Sequence, residues 1–244
     1  MATNNVYHGQ AAFEPGLHVK AHEYEARPFD EDFGVEIKVT HCGICGSDLH
    51  TITGGWGPIT YPIVVGHEIV GHVTRMGSKV DTTNCLDCNE CNHDRENLCD
   101  ATLGTYNGKT AQGYITQGGY ADYYRCHYKF AVPIPEALSS ESAAPMALVR
   151  SASLALGLVA TEGKFVLVGA PEKPLSFAAF SVVVRQITFA GSTIGSPSQI
   201  EEMLAFAVEK GVNSIVEVMP MAEAAAALQK VHDGRARFRI VLKN

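Results

Sequence analysis

Alternating apolar and polar positions in the first half of the chain predict β-strands. Residues 34–41 read G-V-E-I-K-V-T-H, a period-two pattern typical of a half-buried strand. Residues 63–65 are apolar and lead into a second strand-like stretch at 66–73, and residues 118–124 follow a glycine pair as a third. Because helical patterns are few in this region, the sequence predicts an irregular β domain up to about Pro135.

Continuous apolar runs replace this alternation after Pro135. Residues 164–169 (K-F-V-L-V-G) contain a continuous apolar run after the lysine and end in glycine, which predicts a buried parallel strand. Residues 187–191 predict a second short strand, and residues 238–242 predict a final one. Strands of this kind between helices indicate an α/β segment, so the chain as a whole is expected to mix α and β structure.

Three segments of the second half have helical patterns. Residues 139–160 are helical in composition, and residues 221–233 predict a helix closed by Gly234. Residues 198–210 predict an amphipathic helix with Ser198 as its N-cap, Glu201 three residues later and Gly211 as its stop. The apolar face of that helix consists of Ile200, Met203, Leu204 and Ala207.

Composition and charge exclude several classes of function. The chain has 244 residues, of which 46% are hydrophobic and 18% charged, and its formal net charge is −7. Without a block of Lys and Arg, nucleic acid and anionic membranes are not expected partners. No apolar stretch is long enough to span a bilayer. The first ten residues lack the apolar core of a secretory signal. The seven cysteines are an odd number, and four of them are clustered, which favours a metal site over disulfides and so a reducing, cytoplasmic location.

Four of the seven cysteines lie close together and predict a metal site. Their spacing is C-x2-C-x2-C-x7-C, formed by Cys85, Cys88, Cys91 and Cys99. Four thiolates around one ion leave no open coordination position, so a zinc ion here has a structural role. An iron–sulfur cluster and two disulfides are the alternative interpretations.

A second group of residues predicts an open metal site. Cys45 and His67, with one further ligand, are suited to a zinc ion that binds a water or an alcohol oxygen and lowers its pKa. Asp48 is a candidate partner that orients His67, while Ser47 and His50 are candidates for passing a proton to solvent. Each motif is weak alone, but their occurrence in this order ahead of the cysteine cluster is specific.

Long runs of the chain resemble the zinc-dependent medium-chain alcohol dehydrogenases, in the cinnamyl alcohol dehydrogenase branch that uses NADPH. They include HCGICGSDLH, GGWGPITYPIVVGHEIVGHV, NCLDCNECNHDRENLC, TQGGYADYYRCH, VPIPEALSSESAAPM and FAGSTIGSPSQIEEMLAFA. The resemblance implies a GroES-like β domain in which Cys45 and His67 bind the catalytic zinc and Glu68 can move onto it. Ser47 and His50 would form the proton relay. Trp56 would line the substrate pocket, or else be a packed surface aromatic.

The resemblance also implies contacts with NADP(H). By it, Val168, Gly169 and Ala170 would abut the nicotinamide, and residues 191–195 would form a subunit-contact strand whose Ser192 and Ile194 lie nearby. A homodimer is therefore a further expectation. Arg239 would reach a cofactor phosphate or else cap a surface. The alternative interpretation of both segments is that they are strand ends with permissive glycines.

The chain departs from the family pattern in ways that shorten it. The family places a cysteine ligand just after an A-A-P motif, but residues 143–150 read A-A-P-M-A-L-V-R. No G-x-G-x-x-G turn occurs, so the cradle for the cofactor pyrophosphate is missing. The family's G-D-R-V-x-V-G strand ahead of the cysteine cluster is missing too. The predicted domains are a GroES-like zinc domain at 1–148, a truncated Rossmann remnant at 149–195 and a return segment at 196–244.

Three functions compete on this evidence. The first is an NADP(H)-dependent oxidoreductase that interconverts primary alcohols and aldehydes of the aromatic, cinnamyl type. The second is a zinc enzyme without redox chemistry, such as a lyase, isomerase or cyclase, since the metal and relay residues persist beside a lost cofactor cradle. The third is a catalytically silent zinc protein that pairs with a longer homologue.

Overall fold

The structure, a computed structural model, describes residues 5–79, 88–99, 103–145 and 158–244. It mixes α and β elements, as the sequence predicts. The chain divides into two compact units. The larger comprises residues 1–146 and 195–244, and the smaller comprises residues 147–194.

The described residues form the following helices and strands. The strands are β1 Val6–Ala12, β2 Val19–Glu25, β3 Gly34–Gly43, β4 Ile63–Val64, β5 Glu68–Met76, β6 Tyr123–His127, β7 Lys164–Leu167, β8 Thr188–Gly191, β9 Val216–Pro220 and β10 Arg239–Lys243. The α-helices are α1 Gly46–Ile52, α2 Ser140–Ala143, α3 Ala179–Val183, α4 Pro197–Lys210 and α5 Ala224–His232. Short 3-10 helices lie at Cys91–His93, Glu96–Leu98, Tyr128–Phe130 and Met221–Glu223.

Two sheets build the larger unit. One has the order β2-β1-β4, and the other has the order β5-β3-β10-β9, with β6 also paired to β3. The last strand, β10, runs antiparallel to β3 and parallel to β9, so the end of the chain completes the sheet that holds β3. A shared core lies between these elements and includes the fully buried Ile52, Ile63, Leu228, Ile240 and Leu242.

The strand predictions for the larger unit are confirmed at β3, β4, β5 and β10, and the third strand begins later than predicted. It starts at Tyr123 instead of residue 118. The N–H groups of Gly118, Gly119 and Tyr120 instead donate to the carbonyls of residues 64–66. Gly118 permits this close approach, because a Cβ there would lie 2.5 Å from the Val65 backbone.

The smaller unit contains two parallel strands, β7 and β8, as the sequence predicts. The predicted burial of the first strand is wrong for alternate positions: Phe165 is 8% exposed, whereas Val166 is 47% exposed. Phe165 and Ile187 pack with partly buried neighbours on one face of the pair. Within the described residues, the opposite face has no comparable apolar layer, so a continuous apolar run is buried on one side only.

The amphipathic helix α4 is confirmed, but its predicted N-cap is wrong. Ser196 is the cap, since its Oγ accepts from the Gln199 N–H while Gln199 Oε1 accepts from the Ser196 N–H at 2.9 Å. Pro197 occupies the first helical position, where its fixed φ favours a helix start, so the N-cap lies two residues before Ser198. Gly211 ends the helix with φ +64°, as predicted.

The other helical predictions are confirmed in part. α5 follows a 3-10 turn and is closed by Gly234 at φ +69°, as expected. The helix predicted for residues 139–160 is shorter than expected where it is described, because α2 ends at Ala143 and residues 158–160 are not helical. Residues 146–157 lie outside the described part. Among the described residues, no helix is long and apolar enough to cross a membrane.

Candidate metal centres

Cys45 is the N-cap of α1 and lies two residues after the end of β3. Asp48 fixes this helix start, because its Oδ2 accepts a 2.9 Å hydrogen bond from the Cys45 N–H. Leu49 and Ile52 turn toward the core, which leaves Ser47 and His50 on the less buried side of α1. The helix therefore presents the thiol, the hydroxyl and the imidazole on the same side.

His67 is brought to Cys45 by a glycine turn between β4 and β5. Gly66 has φ +101°, and a Cβ there would lie 2.4 Å from the Tyr120 ring, so only glycine fits. The ligand atoms of Cys45, His67 and Glu68 all lie within 4.8 Å of one another. Ser47 Oγ lies 3.1 Å from Cys45 Sγ and 3.4 Å from His67 Nε2. Three predicted metal ligands and the inner relay residue thus meet in one place.

Asp48 is a fully buried carboxylate at the centre of this cluster, 0% exposed. His67 Nδ1 lies 3.0 Å from its Oδ1, in the orienting contact that the sequence predicts. The same oxygen accepts from the Gly66 N–H and the Tyr106 hydroxyl, and Oδ2 accepts from the Tyr120 hydroxyl. With the Cys45 N–H, five groups face the carboxylate, and its burial is compensated by hydrogen bonds.

The ionisation of the cluster favours a thiolate beside a charged network. Burial raises the pKa of Asp48, but the facing His67 and the hydrogen bonds outweigh it and hold that pKa below its usual value. Burial lowers the pKa of His67, whereas Asp48 and Cys45 raise it, with a net result of about 11. Burial raises the pKa of Cys45, but contacts with His67 and Ser47 lower it. The net result is a pKa below the ordinary value for a cysteine. A bound cation would replace the proton on His67.

Glu68 supplies a buried oxygen that is suited to a metal ion. Its side chain is 7% exposed, and Oε1 accepts from Arg239 Nη2. Oε2 is buried and has no hydrogen-bond partner among the described residues. Burial raises the pKa of Glu68, and Arg239 only partly opposes it. Thiolate sulfur, imidazole nitrogen and carboxylate oxygen are zinc ligands, and three of them leave a fourth position open. The residues present therefore fit a catalytic-type zinc ion.

Arg239 and Trp56 lie at this site with partners that the sequence does not indicate. The Arg239 guanidinium donates to Glu68 and to the Ile44 carbonyl, the latter at 3.2 Å. The ring of Trp56 lies over that of His50, with centroids 4.9 Å apart, and is 49% exposed. Trp56 therefore contacts the outer member of the predicted relay.

Tyr106 is a site residue that sequence reasoning missed. Its hydroxyl lies 2.9 Å from Asp48 Oδ1 and 3.2 Å from His67 Nδ1. It is 58 positions from Asp48 along the chain and belongs to no metal-binding spacing. The only sequence signal is a tyrosine between glycines, in G-T-Y-N-G, and this pattern does not identify a partner.

Three of the four cysteines of the predicted cluster lie in the part of the chain that the structure describes. Cys88, Cys91 and Cys99 have sulfurs within 4.8 Å of one another, and the Cys88 and Cys99 sulfurs are 3.6 Å apart. Four sulfurs about 2.3 Å from a zinc ion lie about 3.8 Å from each other in a tetrahedron. The three cysteines are free thiols, so the two-disulfide interpretation is wrong. Cys85 lies outside the described residues.

The thiols of this cluster differ in their ionisation. The Cys91 N–H donates to the Cys88 sulfur, and this hydrogen bond is the main cause of the lowered pKa of Cys88. Burial, followed by contacts with Cys88 and Cys99, raises the pKa of Cys91 to about 12. Neighbouring sulfurs disfavour a negative charge on Cys91, and a bound zinc ion would compensate for this by neutralising the thiolates. The residues fit the structural zinc site expected from the spacing.

We expect Cys91→Ser to release the structural zinc and unfold the segment around Cys88–Cys99. In such sites the metal-binding free energy is folding free energy, about 10–16 kcal/mol for peptides of this type. Zinc content should fall by one ion per chain, and limited proteolysis should cut this segment faster. Cys126→Ser, which alters a free cysteine outside both clusters, is the matched control. Unchanged zinc content in Cys91→Ser would contradict the assignment.

The predicted cofactor contacts of the smaller unit lie at one edge of its strand pair. Val168, Gly169 and Ala170 directly follow β7, and Ser192 and Ile194 follow β8. The Ser192 N–H donates to the Leu167 carbonyl at 2.9 Å, which keeps the two strand ends together. In α/β sheets, ligands bind at such carboxyl ends. No helix begins directly after β7 within the described residues, so a pyrophosphate cradle is not found there.

The chain is similar to known alcohol dehydrogenases. The alcohol dehydrogenase GroES-like domain family matches residues 31–136. A probable cinnamyl alcohol dehydrogenase 6 of Arabidopsis thaliana is 27% identical over 338 residues, covering 96% of this chain and 93% of that protein. An NADP-dependent alcohol dehydrogenase 6 of Saccharomyces cerevisiae is 39% identical over 154 residues, covering 54% of this chain and 42% of that protein. The first alignment is longer than this chain, so the plant protein has residues without a counterpart here.

Solved structures show the same architecture. A cinnamyl alcohol dehydrogenase from Sorghum bicolor matches with a TM-score of 0.86 and 25% identity, covering 98% of this chain and 97% of that one. A cinnamyl alcohol dehydrogenase from Helicobacter pylori, complexed with NADP(H), matches in fold with a TM-score of 0.87 at 18% identity, covering 99% of both chains. Residues 31–136 form an alcohol dehydrogenase GroES-like domain, and the chain as a whole is similar to zinc-type medium-chain alcohol dehydrogenases of the cinnamyl alcohol dehydrogenase type and is shorter than these relatives.

Proposed function

We propose that this chain is a zinc-dependent oxidoreductase that interconverts primary alcohols and aldehydes of the aromatic, cinnamyl type. The proposal depends on one observation above all: Cys45, His67 and Glu68 each offer a ligand atom within 4.8 Å of the other two. Glu68 Oε2 is buried and has no hydrogen-bond partner among the described residues, and three protein ligands would leave a fourth position for a substrate. The small-molecule partner would bind there through its oxygen. A zinc ion so placed supplies Lewis acidity, which lowers the pKa of a bound alcohol.

Glu68 takes the place of the missing third cysteine in this proposal. Residues 143–150 contain no cysteine, so the sulfur that the family resemblance implies is not available there. A carboxylate carries the same charge as the lost thiolate. Cys45 and Glu68 together would therefore neutralise a zinc dication, while neutral His67 completes the ligand set. Arg239 holds the other oxygen of Glu68 and competes with the metal for its charge.

Ser47 and His50 would move the proton of the bound alcohol. Ser47 Oγ lies 3.1 Å from Cys45 Sγ and 3.4 Å from His67 Nε2, so its hydroxyl would be close to the oxygen of a substrate that reaches these two side chains. His50 is three residues further along α1, and positions i and i+3 of a helix are neighbours on its surface. The hydroxyl can therefore transfer a proton to the imidazole.

The proposed hydride carrier is NADP(H). The strand ends at residues 168–170 and 192–194 offer contacts to a nicotinamide ring, but among the described residues no helix begins directly after β7 to hold the pyrophosphate. The cofactor's phosphate end does not fit this part of the chain. This disagreement favours a second candidate, a zinc enzyme that transforms an oxygen-containing substrate without hydride transfer.

The proposed organisation follows from both clusters. Residues 1–148 and 196–244 form the zinc catalytic domain and its return segment, and residues 149–195 are what remains of a nucleotide-binding domain. Cys85 is the fourth ligand of the structural zinc. The homodimer and the cytoplasmic location stay predictions from the sequence.

Zinc content and reductase activity of the purified chain test the proposal together. We expect two zinc ions per chain and NADPH-dependent reduction of cinnamaldehyde or benzaldehyde, which a chelator that removes one ion should abolish. A protein with one zinc ion would contradict the open site. Two zinc ions without NADPH binding by calorimetry, together with turnover of a substrate in the absence of nicotinamide, would instead support the second candidate.

A further inference from the structure

We propose that Tyr106 is a positioning residue for the His67 ligand, a role that rests on the proposed open zinc site. Tyr106 Oη, His67 Nδ1 and Asp48 Oδ1 form a closed triangle with sides of 3.2, 3.0 and 2.9 Å. The Nδ1–H of His67 therefore faces two oxygen acceptors. This arrangement keeps the proton on Nδ1 and leaves the Nε2 lone pair for the metal.

The Tyr106 hydroxyl acts as a donor in this triangle. A phenol ordinarily has a pKa of about 10, so the Tyr106 hydroxyl keeps its proton at neutral pH and can donate it. That proton is donated to Asp48 Oδ1, the same oxygen that contacts His67. Tyr106 thus restrains the carboxylate as well as the imidazole, and loss of its hydroxyl would loosen both.

The loop that carries Tyr106 is held independently of any metal ion. Thr116, which is 4% exposed, donates from Oγ1 to the Gly104 carbonyl and accepts from the Gly108 N–H, both at 2.9 Å. Asn107, the next residue, accepts a hydrogen bond from the Thr60 N–H at 3.2 Å. The turn is therefore closed on both sides of Tyr106, and its hydroxyl is set in place before a metal ion binds.

Two other tyrosines supply matched comparisons. Tyr120 donates to the opposite carboxylate oxygen, Asp48 Oδ2, at 3.0 Å. Tyr114 lies on the same loop as Tyr106, but its hydroxyl donates to the Glu25 carbonyl at 3.2 Å. Tyr120→Phe therefore removes a donor to Asp48 at the oxygen away from His67, and Tyr114→Phe removes a phenol from the loop without touching Asp48.

The test is the zinc affinity of the open site in the full chain, measured by competition with a chromophoric chelator while the cysteine cluster stays loaded. We expect Tyr106→Phe to weaken zinc binding about tenfold, in the range found for residues that orient metal ligands. The visible spectrum of the cobalt-substituted protein should shift as well. Tyr114→Phe should match the unmodified chain, and Tyr120→Phe should weaken zinc binding less than Tyr106→Phe.

Each other outcome overturns the inference. Unchanged or tighter zinc binding in Tyr106→Phe, with two ions in the unmodified chain, would reject the role of Tyr106 alone. Equal weakening in Tyr120→Phe would show that the effect passes through the charge of Asp48 and not through the contact with His67. A chain that binds only one zinc ion before any substitution would reject the proposed function together with this inference.

Discussion

Replacing Asp48 with alanine is expected to lower the free energy of unfolding by about 3–5 kcal/mol, as when one partner of a buried charged network is removed. The carboxylate is fully buried, and five groups face it from α1, the Gly66 turn, His67 and two tyrosines. Without it these groups lose their acceptor in a place that water does not reach, and each unsatisfied buried donor costs about 1–3 kcal/mol. Chemical denaturation of the chelator-treated protein measures the loss.

Asp122→Ala is the matched control for this prediction. Its carboxylate contacts the His8 side chain and N–H, but 34% of the side chain is exposed, so solvent can satisfy the groups left behind. We expect that change to cost at most about 1 kcal/mol. If Asp48→Ala were no more destabilising than Asp122→Ala, the network around Asp48 would not be a source of stability.

Replacing Cys45 with serine is expected to remove the open-site zinc and lower aldehyde turnover about a thousandfold or more. The thiolate is the single sulfur among the three proposed ligands of that site. A catalytic metal contributes several kcal/mol to transition-state stabilisation, and each 1.4 kcal/mol corresponds to about a tenfold change in rate. Zinc analysis should find one ion per chain instead of two, with the cysteine cluster still loaded.

Cys126→Ser distinguishes loss of a ligand from loss of a thiol. Cys126 is also a free cysteine, but it belongs to neither metal cluster. Its replacement should leave two zinc ions and activity comparable to that of the unmodified chain. Two zinc ions in Cys45→Ser, or equal losses in both variants, would refute the assignment of Cys45.

Local patterns predicted well those features whose partners are close in the sequence. The amphipathic face of α4 and its glycine stop follow from helical periodicity and from the residue that ends the pattern. The local patterns were less reliable where two mechanisms compete. Ser198 was a plausible cap, but Pro197 and the reciprocal bonds of Ser196 and Gln199 start the helix earlier.

Burial of β7 shows a different limit of the sequence pattern. Its continuous apolar run correctly predicts a parallel strand, but Val166 is half exposed because the small strand pair is covered on one face within the described residues. A run of apolar residues indicates that a strand can be buried on both faces. Whether it is buried depends on the layers that pack against it.

The sequence by itself determined the family resemblance, the two candidate metal centres and most of their ligands, because these residues occur at short, characteristic spacings. Only the tertiary structure decided which distant groups complete the open site. Arg239 reaches Glu68 across 171 residues, and Tyr106 reaches Asp48 across 58. Arg239 lies at the site because β10 pairs with β3 in the sheet. Tyr106 lies there because its loop is hydrogen-bonded to Thr60 through the neighbouring Asn107. Such contacts depend on long-range pairing, which no local spacing encodes.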